Sequence, residues 1–142
     1  MRKFAVITML VFIGVSSVAI QAQQGRMAQI VPPKTTVHKE AELNVLNVND
    51  LIQANPVQAQ TVTLSKTRLM EGARSPHHNH PEEELVVVIT GRLRVMTPEG
   101  DVIAEPGDVI VVESYAEHQF EALEDTYMVE AFGPGRIIGG GG

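Results

Sequence analysis

The part of the chain after Gln58 is a series of short apolar runs separated by glycine and proline, and this pattern constrains the fold most strongly. The runs are rich in Val, Ile and Thr, and they lie in the stretches "QTVTLSKTRLM", "ELVVVITG", "RLRVMTPEGDVIAEPGDVIVV" and "HQFEALEDTYMVEAF". Such runs between turn residues are typical of strands in an all-β sandwich or barrel. Because no later segment has a helical period, we predict an all-β domain over residues 58–134.

The N-terminal segment has the three parts of a secretory signal peptide. Two basic residues precede an apolar run, and small residues follow it, so residues 1–22 are predicted to be a signal peptide cleaved after Ala22 or Ala19. An uncleaved membrane anchor is the alternative, because the apolar run reaches Ile20 and is nearly long enough to span a bilayer. The small residues and glutamines favour cleavage, which predicts a periplasmic or secreted protein without a stable membrane anchor.

Two flanking segments are predicted to lie outside the all-β domain. Residues 23–57 are interpreted as a leader in which Asn49 begins one short helical turn before Pro56. Residues 135–142 end in four glycines and are predicted to be a flexible tail.

Charge and cysteine content exclude several classes of function. The whole chain carries a net charge of −6, and loss of the two positive charges in residues 1–22 makes it −8. Such a chain repels nucleic acid and anionic membrane surfaces. It has no cysteine, which excludes both disulfides and a lipid-anchored lipoprotein. We therefore expect no nucleic-acid partner, which leaves a small-molecule ligand or substrate open.

The stretch "HHNHPEEE" contains candidate metal ligands. His78 and His80 lie on one face of an extended chain, and Glu84 begins the following strand beside them. We expect His118, at the start of a later strand, to supply a fourth ligand. Three neutral imidazoles and one carboxylate suit a divalent transition ion with one or two positions free for water or substrate, and manganese, iron, nickel, copper and zinc all remain open. A histidine-rich surface loop is the alternative.

Other polar and sulfur-containing residues are given structural interpretations. His77 faces away from the histidine pair and His38 is isolated, so both are interpreted as residues outside the site. Glu82 and Glu83 are interpreted as a solvated turn. The methionines expected to fill the core are Met70, Met96 and Met128.

The same stretch resembles the first motif of the cupin family. In "GARSPHHNHPEEELVVVITG" every fixed position is filled, namely Gly72, His78, His80, Glu84 and Gly91. The resemblance covers roughly Thr61 to Pro134. It implies a double-stranded β-helix, which is a small jelly-roll barrel, with a metal bound inside.

The second cupin motif is matched less fully. It begins at Gly107 and places its histidine at His118, but Glu113 stands where the family has proline, Tyr115 where it has glycine and Ala122 where it has asparagine. These departures concern the turn before His118.

A further stretch, "VEAFGPGR", resembles the D-x-F-x-P-x-R segment of small cupins that process unsaturated uronic acids. The resemblance implies that Glu130 stands at the catalytic aspartate and Arg136 at the arginine, while Glu84 replaces the usual glutamine ligand. Glu130 would then move a proton and Arg136 would pair with the substrate carboxylate. A last strand followed by a Pro-Gly turn is the structural alternative.

Three functions follow from these residues. The first is a metal-dependent enzyme of the hydration, lyase or isomerase type, acting on a small sugar acid or an enolisable organic acid. The alternatives are a cupin dioxygenase on an enol or phenolic substrate and a non-catalytic module that binds a ligand or metal. A homodimer is also expected, because the edges of a short barrel need cover, and Val45, Leu46 and Val48 could add a strand across an interface.

Overall fold

The computed structural model describes residues 33–136 and 138, and the chain divides into two units between Thr36 and Val37. Residues 33–36, the described part of the first unit, have no regular secondary structure. The predicted signal peptide lies outside the described residues, as does most of the glycine-rich tail. Within the part of the chain that is described, no helix has the length and apolar character to cross a membrane.

The second unit is built from strands. Its one helix among the described residues is a short 3-10 turn at Glu40–Glu42. The nine strands are Leu46–Asn49 (β1), Ile52–Gln58 (β2), Thr63–Leu69 (β3), Glu84–Thr90 (β4), Leu93–Thr97 (β5), Gly100–Ala104 (β6), Val109–Val112 (β7), Gln119–Ala122 (β8) and Thr126–Phe132 (β9). They form two antiparallel sheets, ordered β1-β2-β3-β9-β4-β7 and β6-β5-β8. The all-β prediction is confirmed.

The predicted helical turn before Pro56 is wrong, because that segment is strand β2. Ile52 and Ala54 are buried on the inner face while Gln53 is exposed, which is the alternation of a strand. Pro56 is tolerated because β1 pairs with β2 only as far as Ala54, so no neighbour on that side requires its missing N–H. Asn49 does accept the Leu51 N–H, at 2.8 Å, but it closes a hairpin turn. The sheet thus begins before the predicted start of the domain.

Alternating burial along the strands creates one core between the two sheets. Side chains from the larger sheet, such as Val86 and Val88, pack with Leu93 and Phe120 from the smaller sheet. The expectation for Met70 is wrong: this side chain is exposed because it follows the last residue of β3 at a turn.

The segment between β3 and β4 runs alongside β8 and extends the smaller sheet. Gly72 N–H donates to Ala122 O at 2.8 Å, and Ser75 N–H donates to Phe120 O at 2.9 Å. A charged contact reinforces this pairing, because Arg74 donates to the Glu121 carboxylate. The segment is therefore fixed at several points before it reaches the histidines.

Candidate metal centre

Backbone pairing brings two distant histidines together. His78 N–H donates to His118 O at 3.1 Å, and His118 N–H donates to His78 O at 3.0 Å, so the two residues form an isolated antiparallel bridge. Their ring centroids lie 4.4 Å apart. The pairing of the β3–β4 segment with β8 is thus what positions both side chains.

His80 and Glu84 complete this group. One nitrogen from each of His78, His80 and His118 lies within 4.8 Å of the others. Glu84 begins β4 with its side chain inward, and its Oε2 lies 3.2 Å from His80 Nε2 and 3.6 Å from His118 Nε2. The structure therefore brings together all four residues that the sequence singled out as ligands.

Backbone carbonyls determine which nitrogen of each imidazole faces the group. Nδ1 of His78, His80 and His118 lies 2.8, 2.8 and 2.9 Å from the carbonyl oxygens of Pro76, Glu82 and Ala116. A carbonyl can only accept, so Nδ1 carries the proton and Nε2 keeps its lone pair in the neutral ring. His118 Nε2 is buried and has no hydrogen-bond partner among the described residues.

These residues fit a divalent cation. Ligating imidazoles commonly donate their second ring N–H to a carbonyl, which is the arrangement found three times here. Burial lowers the pKa of both His80 and His118, which favours the neutral form that binds metal. Burial, followed by the charge of Glu130, raises the pKa of Glu84 to about 8.

Glu130 lies on the inner face of β9 and reaches the same space. It stands beside Ser65 in the register of β3 and β9, and Thr67 donates a hydrogen bond to its Oε2. Ser65 and Thr67 are themselves linked through their hydroxyls at 3.0 Å. Burial raises the pKa of Glu130, while the Thr67 hydrogen bond opposes that shift. The hydroxyls of β3 thus orient this carboxyl, although the sequence analysis did not single them out.

Arg136 lies at the edge of the site. Its guanidinium carbon is 5.4 Å from the Phe132 ring centroid, and its backbone carbonyl accepts the Thr63 hydroxyl at 2.6 Å. Its Nη1 lies 3.8 Å from Glu82 Oε2. Nε of Arg136 is buried without a hydrogen-bond partner among the residues described. Glu130 and Arg136, which the resemblance to uronate-processing cupins singled out, therefore both lie beside the candidate ligands.

The interpretation of Glu82 as part of a solvated turn is wrong. Its side chain is only 13% exposed, and Oε2 lies 3.7 Å from His80 Nδ1, so it is not part of a solvated turn. The bond from Gly133 N–H to Glu83 O, 2.9 Å long, fixes this turn against the chain after β9. Glu83 is exposed, as expected for a solvated turn, and His77 is exposed as predicted.

A cavity of about 350 Å³ opens beside the candidate ligands. Its lining includes His78, Glu84, His118, Glu130 and Arg136, while its remaining walls are mostly apolar side chains of the two sheets. A small molecule in this cavity would lie beside the imidazoles of His78 and His118, both carboxyls and the guanidinium.

Residues 65–132 match the model of the cupin domain family. The chain is a member of the cupin superfamily. A comparison with curated proteins found no match. The family resemblance predicted from the first motif is thus confirmed.

Solved structures support the same cupin fold. KdgF from Halomonas sp. aligns with a TM-score of 0.66 at 22% identity, over 71% of this chain and 96% of that one. An RmlC-like cupin from Shewanella frigidimarina aligns with a TM-score of 0.67 at 14% identity, over 72% of this chain and 94% of that one. Ectoine synthase from P. lautus aligns with a TM-score of 0.64 at 16% identity, over 70% and 78%. At these identities the similarity establishes the fold.

The departures in the second cupin motif leave its turn intact. Tyr115 stands at the family's glycine position and adopts a φ of 64°, in the left-handed region that glycine favours. Its N–H donates to His80 O at 2.7 Å, which ties this turn to the first motif. The turn therefore still positions His118 at the site, but Tyr115 adopts a strained backbone conformation to do so.

Proposed function

We propose that this cupin is a metal-dependent enzyme that transfers a proton at a carbon next to a carbonyl in a small organic acid, as a lyase or isomerase does. The observation that carries the proposal is the position of Glu130. This carboxyl faces the cavity, adjoins Glu84, and has one oxygen held by the Thr67 hydroxyl. A buried carboxyl whose pKa is raised binds a proton more tightly than an ordinary carboxylate does, which suits it to accept one from carbon.

The residues of the site have separate roles in this proposal. His78, His80, Glu84 and His118 would hold a divalent ion, which supplies polarisation of a substrate oxygen. Glu130 takes the proton from carbon or returns it, and Thr67 keeps the carboxyl in one orientation. Arg136 pairs with the substrate carboxylate, consistent with its place at the cavity and with the resemblance of this segment to uronate-processing cupins.

Deuterium exchange tests the proton transfer whatever product is formed. Metal-loaded protein is incubated in D2O with a panel of 2-oxo acids and an unsaturated uronate, and loss of the carbon-bound proton is followed by NMR. Glu130→Gln keeps the size of the side chain but removes the base, so the exchange rate should fall by about a hundredfold or more. Glu117→Gln is the matched control, because Glu117 is an exposed carboxylate next to His118 in sequence and does not line the cavity.

The result is interpreted at equal metal content, measured by elemental analysis. Unchanged exchange by Glu130→Gln would contradict the proposal. Oxygen uptake that accompanies substrate loss would instead support a dioxygenase. Thermal stabilisation by a ligand with neither reaction would support a binding module.

Arg136→Ala tests whether Arg136 pairs with the substrate carboxylate. Loss of the guanidinium should raise KM for an anionic substrate more than it lowers kcat, since it removes binding that is common to the ground and transition states. A neutral amide analogue of the substrate provides the control, because its KM should change little. An equal loss for acid and amide would contradict the pairing.

We also propose that the mature protein is exported to the periplasm or beyond, on the sequence pattern of residues 1–22. The full chain is expressed in a Gram-negative host, the cell is fractionated, and the mass of the purified protein is measured. The expected product begins after Ala22 or Ala19. An intact chain that starts at Met1 in the cytoplasmic fraction would contradict export.

A homodimer is proposed from the outer face of the larger sheet. Leu85 and Val111 are neighbours in register and are 44% and 57% exposed, and the same row continues through Ala131 to Leu64, which is 38% exposed. A continuous apolar row of this kind is typical of a surface that another molecule covers. Light scattering at micromolar concentration should give twice the monomer mass.

Charge placed on this face tests the interface. Leu85→Glu should give a monomer, whereas Val102→Glu, an equally polar change on the smaller sheet, should leave the mass unchanged. A monomeric wild type would contradict the proposal.

A further inference from the structure

The register of the strands arranges the cavity lining from polar to apolar. Ser65 is paired with Glu130, next to the imidazoles. One step further along the inner face, Thr67 is paired with Met128, and Leu69 follows at the end of β3. Each step moves two residues along every strand, so this wall runs from the Ser65–Glu130 pair through the Thr67 hydroxyl to the apolar Leu69.

The far end of the cavity has mainly apolar walls, and the one hydroxyl beside them on β3, that of Thr67, is already paired with Ser65 and Glu130. Its walls are formed by Ile52, Ala54, Leu69, Phe120 and Met128, all of which are buried and line the cavity. Ile52 and Leu69 are partners in register, as are Ala54 and Thr67. A hydroxyl group placed among these side chains would lose its water and gain no partner there.

The rim of the cavity is largely apolar as well, and the Ser75 hydroxyl, which also lines the cavity, already accepts the Phe120 N–H at 2.9 Å. Val48 is 49% exposed and Pro76 is exposed, and both contribute to the lining. Arg136 is the one cationic side chain among the described residues that line this space. One end of the cavity therefore matches an oxygen-rich anionic group, and the rest matches hydrocarbon.

We infer that the ligand of this site is a monocarboxylic acid with an oxygen-bearing head and an unsubstituted alkyl or aryl tail, rather than a polyhydroxylated sugar acid. The head lies against Arg136 and the candidate metal ligands, and the tail lies among Leu69, Phe120 and Met128. The orientation of the head rests on the proposed function, whereas the preference for an apolar tail rests on the cavity walls.

Binding calorimetry on metal-loaded wild-type protein tests the tail without turnover. The probes are the straight-chain carboxylates from acetate to hexanoate, with gluconate as the hydroxylated six-carbon acid. Affinity should rise by about fourfold for each added methylene until the cavity is full, as burial of each methylene predicts. A flat series, or gluconate binding as tightly as hexanoate, would overturn the inference.

A variant shows where the tail lies. Ala54→Leu fills the far end, so it should abolish the gain between butanoate and hexanoate and leave acetate affinity unchanged. Ala104→Val adds bulk at a buried alanine that does not line this cavity, and it should retain the full gain. A full gain in Ala54→Leu would contradict this position, and if that variant does not fold, the wild-type series decides alone.

The two proposals fail in different ways. Tail-dependent binding without deuterium exchange of any 2-oxo acid would refute the proposed proton transfer and leave the ligand class standing. Exchange that is fastest with the uronate, together with a flat carboxylate series, would refute the ligand class and leave the proton transfer standing.

Discussion

Replacement of Tyr115 by glycine should stabilise this protein. Tyr115 has a φ of 64°, which costs an L-residue about 1–2 kcal/mol relative to an ordinary conformation. Its side chain is 67% exposed, so removal of the ring loses little packing. Its N–H bond to His80 O involves only the backbone and remains in the variant.

The expected gain is the relief of strain less the entropy that glycine costs on folding. Glycine has more conformational freedom than tyrosine in the unfolded chain, and the loss of that freedom on folding costs about 0.5–1 kcal/mol of the stability gained. The net stabilisation then lies between about 0 and 1.5 kcal/mol, with a central value of about 0.75 kcal/mol, which corresponds to a rise in Tm of about 4 °C for a domain of this size.

Thermal unfolding of the metal-free protein measures this effect. Tyr115→Ala is the control, since it removes the same ring but keeps a side chain in the left-handed conformation. We expect the glycine variant to melt above wild type, and the alanine variant to melt at or below it. A glycine variant no more stable than the alanine variant would refute the assignment of strain to this turn.

Three further predictions concern the site and its surrounding turns. His80→Ala should abolish stoichiometric binding of a divalent ion in elemental analysis, whereas His77→Ala should retain it; full metal content in both would refute the ligand assignment. Gly91→Ala should lower the free energy of unfolding, measured in urea, far more than Gly107→Ala does. Both glycines have a positive φ, but only at Gly91 would a Cβ meet a backbone oxygen, at 2.4 Å. Equal losses in the two variants would contradict this. The Glu84 pKa is raised to about 8 from its ordinary value of 4.5, so the folded metal-free protein holds this proton more tightly than the unfolded chain does. The stability that this proton contributes is lost as the pH rises from about 4.5 to about 8, so Tm should fall through the upper part of that range, up to about pH 8. Glu84→Gln should reduce that fall, and a Tm that rises as the pH approaches 8 would count against it.

The sequence predicted the later strands and the four candidate ligands because both depend on local spacing. Gly72, His78, His80, Glu84 and Gly91 form one motif, and turn residues separate the strands from Gln58 onward. β2 was missed because its proline and its asparagine are typical of turns. The pairing of this segment with β1 and β3 makes it a strand.

Residues that depend on distant contacts could not be predicted. Glu82 resembles any solvated glutamate in sequence, and it turns inward because Gly133 holds the adjacent peptide. Ser65 and Thr67 fit the ordinary composition of a strand. Their role beside Glu130 follows from the register of β3 and β9, which no local pattern contains.

The carbonyl contacts of the three imidazoles have a consequence for how the protein matures. Each contact joins a histidine to a residue two positions away, so it forms when its own loop folds and needs no ion. Because the acceptor is a backbone atom, substitution of the side chain at Pro76, Glu82 or Ala116 leaves the contact available. We therefore expect the metal-free protein to fold with its three imidazoles already oriented, so that an ion taken up afterwards meets a prearranged set of ligands.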